Sequence, residues 1–316
     1  MRAPHTVSAS WPVVMSPTRM AAGIRTDNPR GCEVALLGLP DDLGVRLNSG
    51  RPGAAKGPRA FRDALSRYGV IDPPGSDWPA VFDAGDIEPA DGDDEAALTE
   101  THRRVSAAAG ALIDAGMLPI AIGGGHDLTF PFVRAMCERH DGPVAGMYFD
   151  AHLDVRPTAG SGMPFRRLLD EHQVSELFVA GFCPLVNSRE HAWYFRSKGG
   201  VILPEQGVQD AARAPSLPLL PRNLLAGSMF VSFDLDVLDA AYAPGVSAPN
   251  PCGWNPATAT AWVTACGADP RVACFDLMEL SPANDPDSNP GPGRTARLAA
   301  HLFLSFLRGV ATRKRP

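Results

Sequence analysis

The sequence contains no apolar run approaching 18 residues, so no transmembrane helix is expected. Positive charge is in deficit. With 29 Lys and Arg against 35 Asp and Glu, the net charge is −6, which argues against a general binder of phosphate backbones. The six cysteines (Cys32, Cys137, Cys183, Cys252, Cys266, Cys274) include no C-x-x-C pair, and a chain of 316 residues does not need disulfides. They read as reduced and mostly buried thiols. A secretory signal is not expected, because Pro12 and Pro17 bracket only three apolar residues, Val13, Val14 and Met15. No acid precedes Asp27. Residues 1–30, rich in Ser, Thr, Pro and Arg, are expected to be a flexible extension, with a transit peptide as the alternative.

Disorder and coiled coil are excluded for the bulk of the chain, since 45% of residues are hydrophobic and only 20% charged. From residue 33 onward, short apolar runs alternate with longer helical patterns. The strands are expected at 33–39, 81–84, 118–122, 144–150, 177–182, 200–203, 229–236 and 272–279. Helices are expected near 57–68, 94–116, 127–139, 163–172, 187–198, 255–267 and 294–308. Continuous apolar strands separated by helices indicate a parallel sheet covered on both faces. No linker-like stretch or repeat follows residue 30, so residues 31–316 are expected to be one α/β domain. A closed eight-stranded barrel is the alternative.

In such sheets, ligands bind at the carboxyl ends of the strands. The segments there are unusually polar: Gly123-Gly124-Gly125-His126-Asp127, Asp150-Ala151-His152-Leu153-Asp154, Asp234-Leu235-Asp236 and Glu279. The glycine run does not fit a dinucleotide loop, because Leu128 stands where the third glycine is needed. A single Asp-x-Asp at a strand end is commonly a turn or a cap. Three such ends with ligand chemistry are a stronger signal. Along an extended strand alternate residues share a face, so Asp150, His152 and Asp154 are expected to project together, as are Asp234 and Asp236. Four carboxylates in contact repel one another, and two divalent cations cancel that charge. Oxygen ligands with some imidazole suit Mn²⁺. Six ligands for two ions require at least one bridging carboxylate, and a water between two such ions becomes a nucleophile near neutral pH.

These segments, with Ser232-Phe-Asp234-Leu-Asp236-Val-Leu-Asp239, resemble the ureohydrolase (arginase) family over roughly residues 33–310. The resemblance implies a three-layer α/β/α fold around a central, mostly parallel eight-stranded sheet. It implies two Mn²⁺ per chain and hydrolysis of a C–N bond in a guanidine or amidine. One ion would take His126, Asp150, Asp154 and Asp234; the other would take Asp150, His152, Asp234 and Asp236. Glu279 sits where the family places a carboxylate that holds the cationic nitrogens of the substrate.

Ser161-Gly-Met-Pro-Phe-Arg166 separates the branches of the family. Arginases resemble a Ser-Gly-Asn pattern followed by a His, and agmatinases a His-Gly-x-x-Phe pattern. This chain has no His between 153 and 171 and resembles the Ser-Gly-Thr-Pro-Phe-Arg stretch of formimidoylglutamases. Gly125 and Val155-Arg156-Pro157 fit the same branch. The implied reaction is N-formimidoyl-L-glutamate and water giving L-glutamate and formamide, in histidine degradation. Agmatinase, arginase, guanidino-acid hydrolase and a non-catalytic metal-binding relative are the alternatives. Arg166 is expected to clamp the anionic tail through its bidentate fork. Asn48 and Ser161 are expected on the substrate side, with Arg46 and Arg51 in the same polar loop as Asn48. Asp127, Met163 and the insertion-like 281–293 depart from the branch pattern. The expected partners are a small amidine or guanidine and further copies of the chain, in the cytoplasm, with no nucleic acid and no membrane.

Overall fold

The computed structural model describes residues 2–12, 16–69, 71–72, 77–171, 174–213, 227–289 and 291–313. Val13, Val14 and Met15, the end of the expected helix at 172, and residue 290 of the insertion-like stretch lie outside the described residues. One sheet runs through the molecule: β1 (Thr6–Val7), β2 (Val34–Leu39), β3 (Val81–Ile87), β4 (Leu118–Gly123), β5 (Val144–Phe149), β6 (Val174–Ala180), β7 (Gly200–Ile202), β8 (Ser228–Asp234) and β9 (Val272–Met278). Its order is β1-β3-β2-β4-β9-β8-β5-β6-β7. Among the described residues, eight strands are parallel and only β1 is antiparallel, through Thr6 opposite Ile87. The sheet is open, so the barrel alternative falls.

The helices are α1 (Leu43–Leu47), α2 (Gly57–Leu65), α3 (Glu95–Asp114), α4 (Thr129–Cys137), α5 (Pro164–Glu171), α6 (Arg189–Ser197), α7 (Glu205–Arg213), α8 (Pro256–Ala268) and α9 (Arg294–Ala311). They form two layers because successive side chains of each strand point to opposite faces. Ile120 and Ile122 of β4 join Phe61 of α2, Trp262 of α8 and Phe303 of α9 in one core. Ala121, between them, joins Val105 of α3, Phe132 of α4 and Phe195 of α6 in the other. Each fully buried Phe contributes about 1.5–3 kcal/mol. Phe61 and Phe303 meet edge to face at 5.3 Å and tie α2 to α9.

Two features differ from the sequence expectation. The described parts of residues 1–30 lie against the sheet edge: β1 extends it, and the Trp11 indole N–H donates to Asp83 at 2.7 Å. The same Asp83 receives a two-pronged contact from the buried Arg62 of α2, at 2.8 and 2.9 Å. Helices α1 and α7 were not anticipated; α1 is short, and α7 has few apolar residues to mark a buried face.

Candidate metal centre and substrate pocket

Strands β4, β9, β8 and β5 are consecutive in the sheet, and their carboxyl ends carry the four polar segments. His126 begins a single 3₁₀ turn after β4, and Glu279 follows β9 directly. Asp234 closes β8, with Asp236 in the turn after it. Asp150, His152 and Asp154 follow β5. The chain is not extended there, which corrects the alternate-face argument. Asp150 Oδ1 accepts the His152 backbone N–H at 2.6 Å, and Asp234 Oδ1 accepts that of Asp236 at 2.7 Å. Asp234 thus uses Oδ1 for its own turn and turns Oδ2 to the site, whereas Asp150 turns Oδ2 to His126 and keeps Oδ1 both on its turn and beside His152 Nδ1. Asp154 is held at φ 47° and Glu279 at φ 63°. Such left-handed backbone costs of order 1–3 kcal/mol per residue and persists where the surroundings impose it.

Three carboxylate oxygens converge on His126 Nδ1: Asp154 at 2.9 Å, Asp234 at 3.1 Å and Asp150 at 3.2 Å. His152 Nδ1 lies 3.2 Å from both Asp150 and Asp236. All six expected ligands are thus gathered. They form two groups, His126-Asp150-Asp154-Asp234 and Asp150-His152-Asp236, with all chosen ligand atoms of a group within 4.8 Å of one another. Asp150 belongs to both. Asp234 falls only in the first.

The donor set fits divalent cations. One imidazole nitrogen cannot satisfy three carboxylates. His126 Nδ1, Asp150 Oδ2 and Asp236 Oδ1 are buried without a hydrogen-bond partner among the described residues, which is costly unless another group binds them. Burial, then the neighbouring acids, pushes the Asp150 and Asp234 carboxyls above their ordinary range. Burial opposes charge on His126, but contacts with Asp150, Asp154 and Asp234 overcome it and raise this imidazole well above its usual range. Cations in place of shared protons would relieve both strains. Behind the centre, Ser232 Oγ lies 3.1 Å from His126 Nε2 and donates to Asp276 at 2.6 Å. Asp276 sits deeper than Glu279, on the sheet side, and burial lifts its carboxyl to about 6.

Glu279 is buried beside this centre. Its Oε1 accepts the His126 backbone N–H at 3.0 Å, and its Oε2 has no partner among the described residues. Burial and then Asp236 push its carboxyl to about 8. A cationic guest against Oε2 would restore its charge.

A cavity of about 270 Å³ opens over the centre, lined at its floor by His152, Asp154, Asp234, Asp236 and Glu279. Asn48 and Ser161 line its mouth. They hold each other, with Asn48 Nδ2 donating to Ser161 Oγ at 3.1 Å. Arg166 does not reach the cavity. It follows Phe165, which packs inward on Tyr148 and His126, and one residue along a helix turns about 100° away. Its guanidinium lies 3.8 Å from the centre of the Tyr194 ring and donates to Val155 O at 3.1 Å. The arginine at the mouth is Arg156, whose Nη1 donates to Asn48 Oδ1 at 2.8 Å. Arg51 lines the mouth opposite, braced on the carbonyls of Ser247 and Val246. Asn187 and His191 complete that rim. The sequence signal for both was their position just beyond the carboxyl end of β6.

An open parallel sheet with a carboxylate–imidazole cluster at its central strand ends defines a metallohydrolase-like α/β protein. The Arginase family model matches residues 32–308, and the chain belongs to that family. It is 35% identical to a formimidoylglutamase of Aromatoleum aromaticum, with 89% of this chain and 84% of that one covered. It is 31% identical to the human mitochondrial guanidino acid hydrolase, over 89% of this chain and 79% of that one. The structure of Trypanosoma cruzi formiminoglutamase with Mn²⁺ superposes with a TM-score of 0.84 at 31% identity, covering 94% of this chain and 99% of that one. Among the described residues, no helix is long and apolar enough to cross a membrane.

Proposed function

We propose that this enzyme hydrolyses the amidine C–N bond of N-formimidoyl-L-glutamate, giving L-glutamate and formamide. The observation that carries this reading is the polarity of the pocket. Its floor is a carboxylate cluster, and its mouth presents Arg156 and Arg51, neither of which has a carboxylate partner among the described residues. A substrate with an amidinium at one end and two carboxylates at the other matches both ends. Agmatine, cationic throughout, would leave both arginines unmatched.

His126, Asp150, His152, Asp154, Asp234 and Asp236 would hold two Mn²⁺, which supply an acidified water and Lewis-acid polarisation when bound. Glu279 Oε2 holds the amidinium and fixes its planar face toward the centre. Arg156, oriented by Asn48 and Ser161, takes a carboxylate of the tail through its remaining N–H groups. This geometry makes the reaction intramolecular in effect, since both ends of a short substrate are fixed. We extend the proposal to histidine degradation as the setting, with the enzyme as a cytoplasmic homo-oligomer.

The test is a substrate panel with Mn²⁺-loaded enzyme: formimidoylglutamate, guanidinobutyrate, arginine and agmatine. A kcat/KM at least about tenfold higher for formimidoylglutamate is the expected result, as each mismatched charge costs on the order of 1.4 kcal/mol or more. Preference for guanidinobutyrate would favour a guanidino-acid hydrolase, and preference for agmatine would overturn the role of the mouth arginines.

A further inference from the structure

We infer that His191 is a specificity-determining residue that shares a substrate carboxylate with Arg156 and takes up a proton from solvent as a dianionic substrate binds. The inference rests on the dianionic substrate proposed above.

His191 stands in the first turn of α6, where Ser188 caps the helix and receives the His191 backbone N–H at 3.1 Å. Its half-buried imidazole lines the cavity beside Arg156 and makes no side-chain hydrogen bond among the described residues. The other ionisable groups of the cavity are already committed. His152, Asp154, Asp234 and Asp236 belong to the carboxylate–imidazole cluster; Glu279 is buried on the His126 backbone; Arg51 is braced on the Ser247 and Val246 carbonyls and Arg156 on Asn48. His191 is the remaining lining group that changes charge near neutrality.

The charged groups that face it come from three elements. Arg156 and Asp154 belong to the loop after β5, Arg166 to α5, and Glu190 to its own helix. Burial and then Arg156 lower its proton affinity, with a smaller push from Arg166; Glu190 and Asp154 oppose them. The free pocket therefore holds a neutral imidazole. A carboxylate arriving on Arg156 cancels the charge that kept His191 neutral. The ring then binds a proton and donates a charge-assisted hydrogen bond to the same carboxylate. Neutral or cationic amidines produce no such change, so the pair selects against them.

The experiment titrates the metal-loaded, full-length enzyme calorimetrically with N-formyl-L-glutamate, which has both carboxylates and no amidine. Two buffers of different protonation enthalpy are used at about pH 7.5, above the ordinary histidine range. Wild type is expected to take up a fraction of a proton, on the order of 0.3–1 per site. His191→Asn should take up none and bind roughly 5- to 30-fold more weakly, for loss of one charge-assisted contact. In kinetics with formimidoylglutamate, His191→Ala should raise KM roughly 5- to 30-fold with kcat changed by less than about 3-fold, because binding is lost equally from ground and transition states. Asn should recover part of the loss, and the wild-type rise of KM with pH should flatten in both variants. Equal proton uptake in wild type and His191→Asn, or a fall in kcat at constant KM, would overturn the inference. In both of those outcomes wild type still turns over formimidoylglutamate, so the substrate reading stands. Turnover of only cationic substrates by wild type overturns that reading and the inference with it.

Discussion

Exchanging one arginine for another in the substrate role has consequences that two alanine variants separate. Arg156→Ala removes a guanidinium that lines the cavity and is held by Asn48 Oδ1 at 2.8 Å. Losing a charge-assisted contact from an exposed guanidinium to a carboxylate should cost about 1–3 kcal/mol, or roughly 5- to 150-fold in kcat/KM. Most of this should appear in KM, since the tail is bound alike before and during reaction. Arg166→Ala instead removes a ring contact at 3.8 Å, one hydrogen bond to Val155 O at 3.1 Å and a long ion pair with Asp170 at 3.9 Å. Those contribute about 1–3 kcal/mol together, all of it to stability. The expected pattern is a catalytic defect with near-native melting for Arg156→Ala and lowered melting with near-native KM for Arg166→Ala. Arg156→Lys should remain impaired, because an ammonium cannot reproduce the planar fork. Steady-state kinetics, thermal melting and manganese content of all three variants decide the matter. A wild-type KM in Arg156→Ala, or a KM defect confined to Arg166→Ala, would refute the assignment drawn from the cavity.

Asp234→Ala should lose bound manganese and lower activity by at least about 100-fold, since a first-group ligand is removed; elemental analysis showing full metal after desalting would contradict it. Glu279→Gln should keep its metal but lose at least about tenfold in kcat/KM, because a neutral amide cannot pair with an amidinium; unchanged kinetics would remove Glu279 from substrate binding. Stripped of metal by chelation, the protein should lose stability as pH rises from about 4.5 toward 8: the Glu279 carboxyl is raised to about 8, so the fold holds a proton there that the unfolded chain has released. The raised His126 imidazole acts in the same direction above its ordinary range, and a chelated protein that melts higher at pH 8 than at pH 5 would contradict the sign. Gly124→Ala should prevent proper folding or metal loading, as its Cβ would stand 2.0 Å from the Asp41 carbonyl oxygen and 2.6 Å from that of Leu39, and backbone cannot yield as a side chain can; native-like melting and metal content would count against that crowding.

The fold was legible because parallel strands, buried on both faces, read as unbroken apolar runs. Val34–Leu39 and Val144–Phe149 show no polar position at all, and their limits matched within a residue. The signal failed where that cause is missing. Strand β6 begins at Val174, ahead of its apolar half, because Ser175 and Glu176 lie toward its exposed beginning. Strand β1 has two residues and gains its place from pairing with β3 and from Trp11 on Asp83, both long-range contacts with no local pattern. A reading of residues 1–30 by composition sees only Ser, Thr, Pro and Arg.

The metal centre was legible for a different reason: aspartate and histidine at consecutive strand ends have few other uses, whatever the backbone does between them. Alternation along an extended strand was the wrong geometry, yet the structure gathers the same residues, since the Asx turns at Asp150 and Asp234 aim the same side chains inward. The arginine proposed to hold the substrate was not legible on those terms. Arg156 and Arg166 both follow the metal loop, and both are arginines a glutamate tail could use. What separates them is the inward seat of Phe165 between Tyr148 and His126, which rotates Arg166 onto Tyr194 and leaves the mouth to Arg156. That choice is made by tertiary packing of α5 against the sheet. A motif comparison preserves the order of residues along the chain, but the direction of a side chain on a helix depends on which neighbour is buried first.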